Sequence, residues 1–92
     1  MDMEQTFAVD LSQYVEIRLF GDRPHIRGRR IPIAVIAHTA AANKYSVHEL
    51  MYAFDLSEAE VLAALLYYSE HKAMIEAQEE AIHLEYKHFY ED

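Results

Sequence analysis

The segment "YVEIRLF" alternates, with Val15, Ile17 and Leu19 on one side and Glu16 and Arg18 on the other, the period of a half-buried strand. Gly21-Asp22 follows as a two-residue turn, and "RPHIRGR" returns as the second strand of a hairpin. Continuing the alternation places Pro24 and Ile26 inward, Arg23, His25, Arg27 and Arg29 outward, and Arg30 inward, provided Gly28 introduces no bulge that resets the phase. Pro32 suits the first turn of a helix, and Ile33, Ile36, Ala37 and Ala40 then recur at 3-4 spacing until Asn43 ends the run. Two capping boxes open the helices that follow. Ser46 with Glu49 precedes the stripe Val47, Leu50, Met51 and Phe54, and Ser57 with Glu60 precedes Val61, Leu62, Leu65 and Leu66, all four expected to be buried. No Pro or Gly interrupts the chain from Ser57 to Glu91, so one helix of about 52 Å is allowed by the rise per residue, against roughly 30 Å for a small domain. Either it breaks near "SEHK" at 69 to 72, or it projects from the body.

Three helices joined by short loops behind a short hairpin predict a mainly α chain with the outline of a helix-turn-helix domain, "SVHELMYAF" and "SEAEVLAALLYYS" forming the motif itself. Ninety-two residues support one core at most. The expected division is a tail over 1–13, the hairpin and helices over 14–70, and an acidic helical extension over 71–92. At 52% apolar and 26% charged residues the chain has the usage of a folded globular protein. The apolar run that contains "AALLYY" is far too short to span a membrane. The N-terminus "MDMEQTFAVDLSQ" lacks a basic segment followed by an apolar one, so a cytoplasmic location is expected.

Charge changes the picture more than composition does. The net charge is −8, yet residues 17–44 hold Arg18, Arg23, Arg27, Arg29, Arg30 and Lys44 against Asp22 alone. Residues 45–92 hold eleven acids against Lys72 and Lys87. Such segregation can build a phosphate-binding face on an acidic molecule, or it can neutralise the molecule's own carboxylates. On the first reading the outward Arg23, Arg27 and Arg29 touch DNA phosphates. The inward Arg30 then needs a carboxylate in an ion pair, with Glu49, Asp55, Glu58 and Glu60 as candidates. The helix that should read bases argues against DNA. Its first turn presents Ser57, Glu58 and Glu60, and no Lys or Arg lies between Asp55 and Glu70.

The stretches "GDRPHIRGRRIPI" and "LSEAEVLAALLYY" resemble the two signatures of the domain-of-unknown-function family numbered four-three-three, close to G-x-P-x-I-x-G-T-R-I-P-V and L-[ST]-x-[ED]-x-[VI]-x-x-A-L. The resemblance covers residues 14–70. It implies a winged or homeodomain-like helix-turn-helix fold and, since some members look like VapB-type antitoxins encoded beside PIN-like nucleases, a DNA-binding autoregulator and antitoxin. Arg30 matches the arginine of the signature. Arg29 stands where the pattern has Thr, Asn43-Lys44 replaces a usual Gly, and Asp55 occupies a place often held by Pro.

Other chemistries find little purchase. Glu80 with His83 and Glu85 with His88 both read Glu-x-x-His, but on one helix they face different directions and cannot share one ion. His38 and His48 are singletons. There is no cysteine and no Gly-x-Ser-x-Gly elbow, and the two glycines, Gly21 and Gly28, cannot build a phosphate-cradling loop. No catalytic residue, metal or cofactor is therefore expected, and the chain is not read as an enzyme. From Glu70 onward, seven acids accompany Ile75, Ile82 and Phe89 at heptad spacing, with Tyr86 close by. These four residues are the expected partner contacts. A homodimer seam and a groove on a PIN-like nuclease toxin, whose basic cleft would attract the acids, both fit. The rival to the antitoxin reading is an interaction module that binds no nucleic acid.

Overall fold

The computed structural model describes residues 10–17 and 23–90, with side chains through Lys87. The expected Gly21-Asp22 turn, Arg18 and Leu19 lie outside the described residues. A single 3-10 turn, Leu11–Gln13, is capped by the Asp10 carboxylate and leads into β1, Val15–Glu16. This strand pairs antiparallel with β2, His25–Ile26, in the register Val15 to Ile26 and Glu16 to His25. Four helices follow: α1 (Ile33–Asn43), α2 (Val47–Phe54), α3 (Glu58–Glu70) and α4 (Lys72–Tyr90). The chain is thus mainly helical, with a short N-terminal hairpin and a long C-terminal helix.

Both capping boxes form as the sequence predicts. Ser46 accepts from the Glu49 amide while Glu49 accepts from the Ser46 amide, and Ser57 and Glu60 repeat the exchange. Each cap contributes about 1 kcal/mol, whereas truncating a fully buried leucine such as Leu50 costs about 2–5 kcal/mol, so burial rather than capping decides how the helices sit. The core gathers Val15, Ile26, Ile33, Ala34, Ile36, Leu50, Leu56, Val61, Ala64 and Ile75, with Val47, Met51, Phe54 and Leu65 packed against it. Asp55–Ser57 are all that separate α2 from α3, the compact connection of a helix-turn-helix pair.

The long helix breaks, at His71. Its backbone leaves the helical region (φ −127°, ψ 28°), with the amide shared between the carbonyls of Tyr67 and Tyr68. The Ser69 hydroxyl donates back to the Leu66 carbonyl, and the His71 ring stacks on Tyr67 at 4.1 Å. The change of direction brings Ile75 into the core, where it is 1% exposed.

The alternation read from the sequence fails in three places. His25, expected outward, is fully buried, in a strand that pairs with β1 on one edge and bridges Pro32 on the other. Ile17 is exposed at the end of its strand. On α3 the buried stripe is Val61, Ala64 and half-buried Leu65 with Ala63, while Leu62 and Leu66, expected in the core, are 49% and 38% exposed. One helical face can meet the core, and here the small alanines allow close approach while the two leucines turn away.

Candidate functional site

The basic segment is shaped by the turn that ends β2. The Arg29 amide donates to the Ile26 carbonyl at 3.0 Å and the Ile26 amide to the Ile31 carbonyl at 2.9 Å, closing residues 26–31 on themselves. Gly28 takes φ +78° at its centre. Nothing lies within 4 Å of where a Cβ would stand, so backbone conformation and not space calls for glycine. Arg30 follows at φ 54°, again left-handed. Two left-handed residues reset the phase, and the strand alternation that assigned the arginines to faces ends at Ile26.

Each arginine therefore has its own fate. Arg23 forms a bidentate pair with Glu79 of α4, Nε to Oε2 at 2.7 Å and Nη2 to Oε1 at 2.8 Å, with both side chains largely covered. Arg27 donates to the Ser12 carbonyl at 3.0 Å, to Glu16 Oε1 at 3.2 Å and to the Val15 carbonyl at 3.5 Å. The other Glu16 oxygen accepts from the Gly28 amide at 3.0 Å, so Glu16 clamps the turn from both sides. Arg29 donates to the Asp55 carbonyl at 2.8 Å and the Phe54 carbonyl at 3.3 Å, placing its cation on the last carbonyls of α2, where the helix dipole is negative.

Arg30 is exposed and has no hydrogen bond or ion pair among the described residues. The expected Arg30 pair with Glu49, Asp55, Glu58 or Glu60 does not form, and it is Arg29 that meets the helices. The reason is the left-handed turn at Gly28 and Arg30, which swaps the two side chains. The arginines expected to face phosphate are likewise held by the protein: Arg23 and Arg27 meet carboxylates, and Arg29 meets carbonyls, which leave its charge in place.

His25 is a site residue that alternation missed. Fully buried, its Nδ1 lies 3.1 Å from the Arg23 carbonyl and its Nε2 lies 3.5 Å from Glu16 Oε2. It thus stands between the two acid-bound arginines. The only signal for it in the sequence is a histidine flanked by Pro24 and Ile26 inside the basic run.

On α4, Ile75 belongs to the core of its own chain, not to a partner surface. Ile82 is half-buried, Tyr86 is exposed, and the Phe89 side chain lies outside the described residues. Two further contacts hold the first turns of α4. Glu76 Oε2 accepts from the Tyr68 hydroxyl of α3 and lies 2.7 Å from His38 Nε2 of α1. The Tyr68 bond, then that of His38, holds the Glu76 carboxyl below the usual carboxylate range, and the same Tyr68–Glu76 bond, helped by burial, pushes the Tyr68 phenol up to about 12. On the outer face of α3, Tyr14, Ala59, Leu62, Ala63 and Leu66 line an open apolar groove. No cluster of three or more His, Asp or Glu side chains able to hold a metal occurs among the described residues, Glu80 with His83 and Glu85 included.

A family model described as a protein of unknown function (DUF433) matches residues 16–68, more than half of the chain. The chain belongs to the DUF433 family. No curated protein and no solved structure matches it. The DUF433 match begins inside β1, takes in β2, α1, α2 and most of α3, and ends at Tyr68, before the break at His71. Arg23 and Tyr68 lie inside it, whereas their partners Glu79 and Glu76 lie beyond it. In this DUF433 chain α4 is fixed to the matched unit by residues of both parts.

Proposed function

We propose that this DUF433 chain is a non-enzymatic protein-interaction module that does not use its arginines to bind nucleic acid. The observation that carries the reading is the engagement of Arg23 by Glu79 and of Arg27 by Glu16, with Arg29 on the end of α2. To take up phosphates, Arg23 and Arg27 must first give up charge-assisted bonds inside the fold. The first turn of α3, the element that reads bases in helix-turn-helix proteins, carries Glu58 and Glu60 and repels phosphate. What the molecule offers instead is exposed apolar surface on its last two helices: Leu62 and Leu66 on α3, and Met74, Leu84 and Tyr86 on α4.

The second reading is the DNA-binding autoregulator and antitoxin suggested by the likeness of some family members to VapB-type antitoxins, with operator DNA on the arginines and a PIN-like nuclease on the acidic helix. Arg30 beside Arg29, exposed and without a partner among the described residues, favours it. Anisotropy of a labelled duplex separates the two. The interaction module gives no binding tighter than the nonspecific range at low salt. If the duplex binds and alanine at Arg27, Arg29 and Arg30 flattens the dependence of log K on log salt by about 0.9 per lost contact, the autoregulator reading replaces it.

A further inference from the structure

The break between α3 and α4 has no cause in its own residues. The stretch "SEHKAM", residues 69–74, contains neither Gly nor Pro, the usual origins of a sharp kink. All six of its side chains are exposed, and the Ser69 hydroxyl bond to the Leu66 carbonyl bends a helix only slightly. The stack of His71 on Tyr67 is an i, i+4 contact that a straight helix keeps. Yet the bend omits part of the backbone ladder. The His71 amide reaches Tyr67 and Tyr68, and the Ile75 amide reaches His71 at 2.9 Å, but among the described residues no backbone bond runs from Lys72, Ala73 or Met74 to the carbonyls of Tyr68, Ser69 and Glu70. Three helical bonds are left out.

What holds the chain bent is the docking of the first turns of α4 beyond the hinge. Ile75 enters the core at 1% exposure, Glu76 meets Tyr68 and His38, and Glu79 forms the bidentate pair with Arg23. Every receiving group precedes the hinge and every inserted group follows it, so the near half of α4 is a plug that the body of any other copy would receive in the same way. A lone chain cannot straighten without loss. It would expose Ile75 and strip Arg23 of its carboxylate.

We infer that two copies of this chain exchange α4, with α3 and α4 running through His71 as one continuous helix. Ile75, Glu76 and Glu79 of each chain then dock on the core, Tyr68, His38 and Arg23 of the other. The docking contacts stay the same in kind, and the dimer adds the omitted backbone bonds in both chains. Because each body gives up one α4 and receives one, the exchange closes as a two-fold dimer. The inference goes beyond the interaction-module reading and does not rest on it, since that reading fails only in the duplex titration.

Charge reversal separates this exchange from any other dimer. Within one chain, Arg23→Glu sets two carboxylates together and Glu79→Arg sets two guanidiniums together. In an exchanged heterodimer of the two variants, the body carrying R23E receives the helix carrying E79R, and the unaltered body receives the unaltered helix. Both pairs are then opposite in charge. The two full-length variants, one isotope-labelled, are mixed in urea, refolded together at high concentration and examined by native mass spectrometry. The heterodimer is expected to exceed either homodimer by about tenfold, because like charges brought together at the docking site disfavour both homodimers. A random mixture of dimers, or monomers alone, overturns the exchange. The hinge supplies a second measurement that leaves the docking contacts untouched. His71→Ala favours the continuous helix and His71→Gly disfavours it, so the dimerisation constant from sedimentation should fall by about tenfold from the first variant to the second, each dimer having two hinges. Equal constants, or no dimer of His71→Ala, overturn the fusion of the two helices.

Discussion

At Arg30 the backbone lies at φ 54°, and Lys44 and Asp55 share that left-handed region at φ 56° as the C-caps of α1 and α2. Non-glycine residues pay a steric penalty there that glycine does not. Asn43-Lys44 replaces a Gly that is usual in the family the sequence resembles. Lys44→Gly is therefore expected to raise stability by about 0.5–1 kcal/mol in urea unfolding, the relief of the cap outweighing the added freedom of the unfolded chain. A loss of stability would mean that the Lys44 side chain contributes a contact that offsets the strain. The two adjacent arginines make a sharper pair. Arg29→Ala removes two donors from the end of α2 and is expected to cost about 1 kcal/mol, at the low end for charged donors because the site is exposed. Arg30→Ala changes stability by less than about 0.5 kcal/mol. The inverse result would restore the assignment that alternation gives. That assignment was out of reach of the sequence for a specific reason: Gly28 announces a possible change of phase, but a left-handed residue directly after it, at an arginine, has no local signature.

Capping boxes, helix starts and the stripe on α2 were legible because each is a local pattern, complete within one turn of helix. What could not be read was which way a helix rolls once it meets its neighbours. On α3 the positions 61, 62, 65 and 66 form one broad apolar face, and only the approach of α1 decides that Ala64 points inward and Leu62 outward. The same applies to α4, where heptad spacing marks Ile75 as a contact residue but not whether the contact is with the chain itself. Its attachment rests on long-range pairs invisible to any local pattern. The Arg23–Glu79 pair joins residues 56 positions apart and is largely covered, so a double-mutant cycle on Arg23→Ala and Glu79→Ala is expected to yield a coupling of about 1 kcal/mol. No measurable coupling would mean that Ile75 alone fixes α4. The Tyr68–Glu76 bond gives a second measure. Because the Tyr68 phenol is raised to about 12 in the fold, the stability it contributes is present below its ordinary value of 10.0 and is lost as pH rises between the two. Glu76, lowered from 4.5, contributes above that value and loses its contribution as pH falls through the depressed one. In an ultraviolet titration Tyr68 and, through its burial, Tyr67 should therefore ionise late, and Glu76→Gln should bring Tyr68 back while leaving Tyr67 where it is. An unchanged titration in the variant would remove the bond as the cause.

For the molecule as a whole, the radius of gyration of 14.8 Å exceeds the roughly 12 Å expected of a compact chain of this length, and its last helix, α4, is about 28 Å long at the usual rise. Charge follows the same division, with the cations drawn into the hairpin turn and the acids spread along the last two helices. The Arg23–Glu79 pair is the point where the two populations meet inside one chain. Past it, most of the described side chains of α4 are exposed. A helix end with exposed hydrogen bonds and few buried side chains opens far more often than one packed on a core, so amide exchange should divide α4 at about Glu80. In samples dilute enough to be monomeric, residues 72–80 are expected to show protection close to that of α1, and residues 81–90 to exchange within a few tenfold of the unstructured rate. Removing the staple with Glu79→Ala should move the boundary toward Ile75 and leave α1 to α3 unaffected, because the pair joins α4 to the segment before β2 and belongs to none of the three. If the far half of α4 is protected in the monomer to the same degree as the near half, it is stabilised by contacts of its own chain.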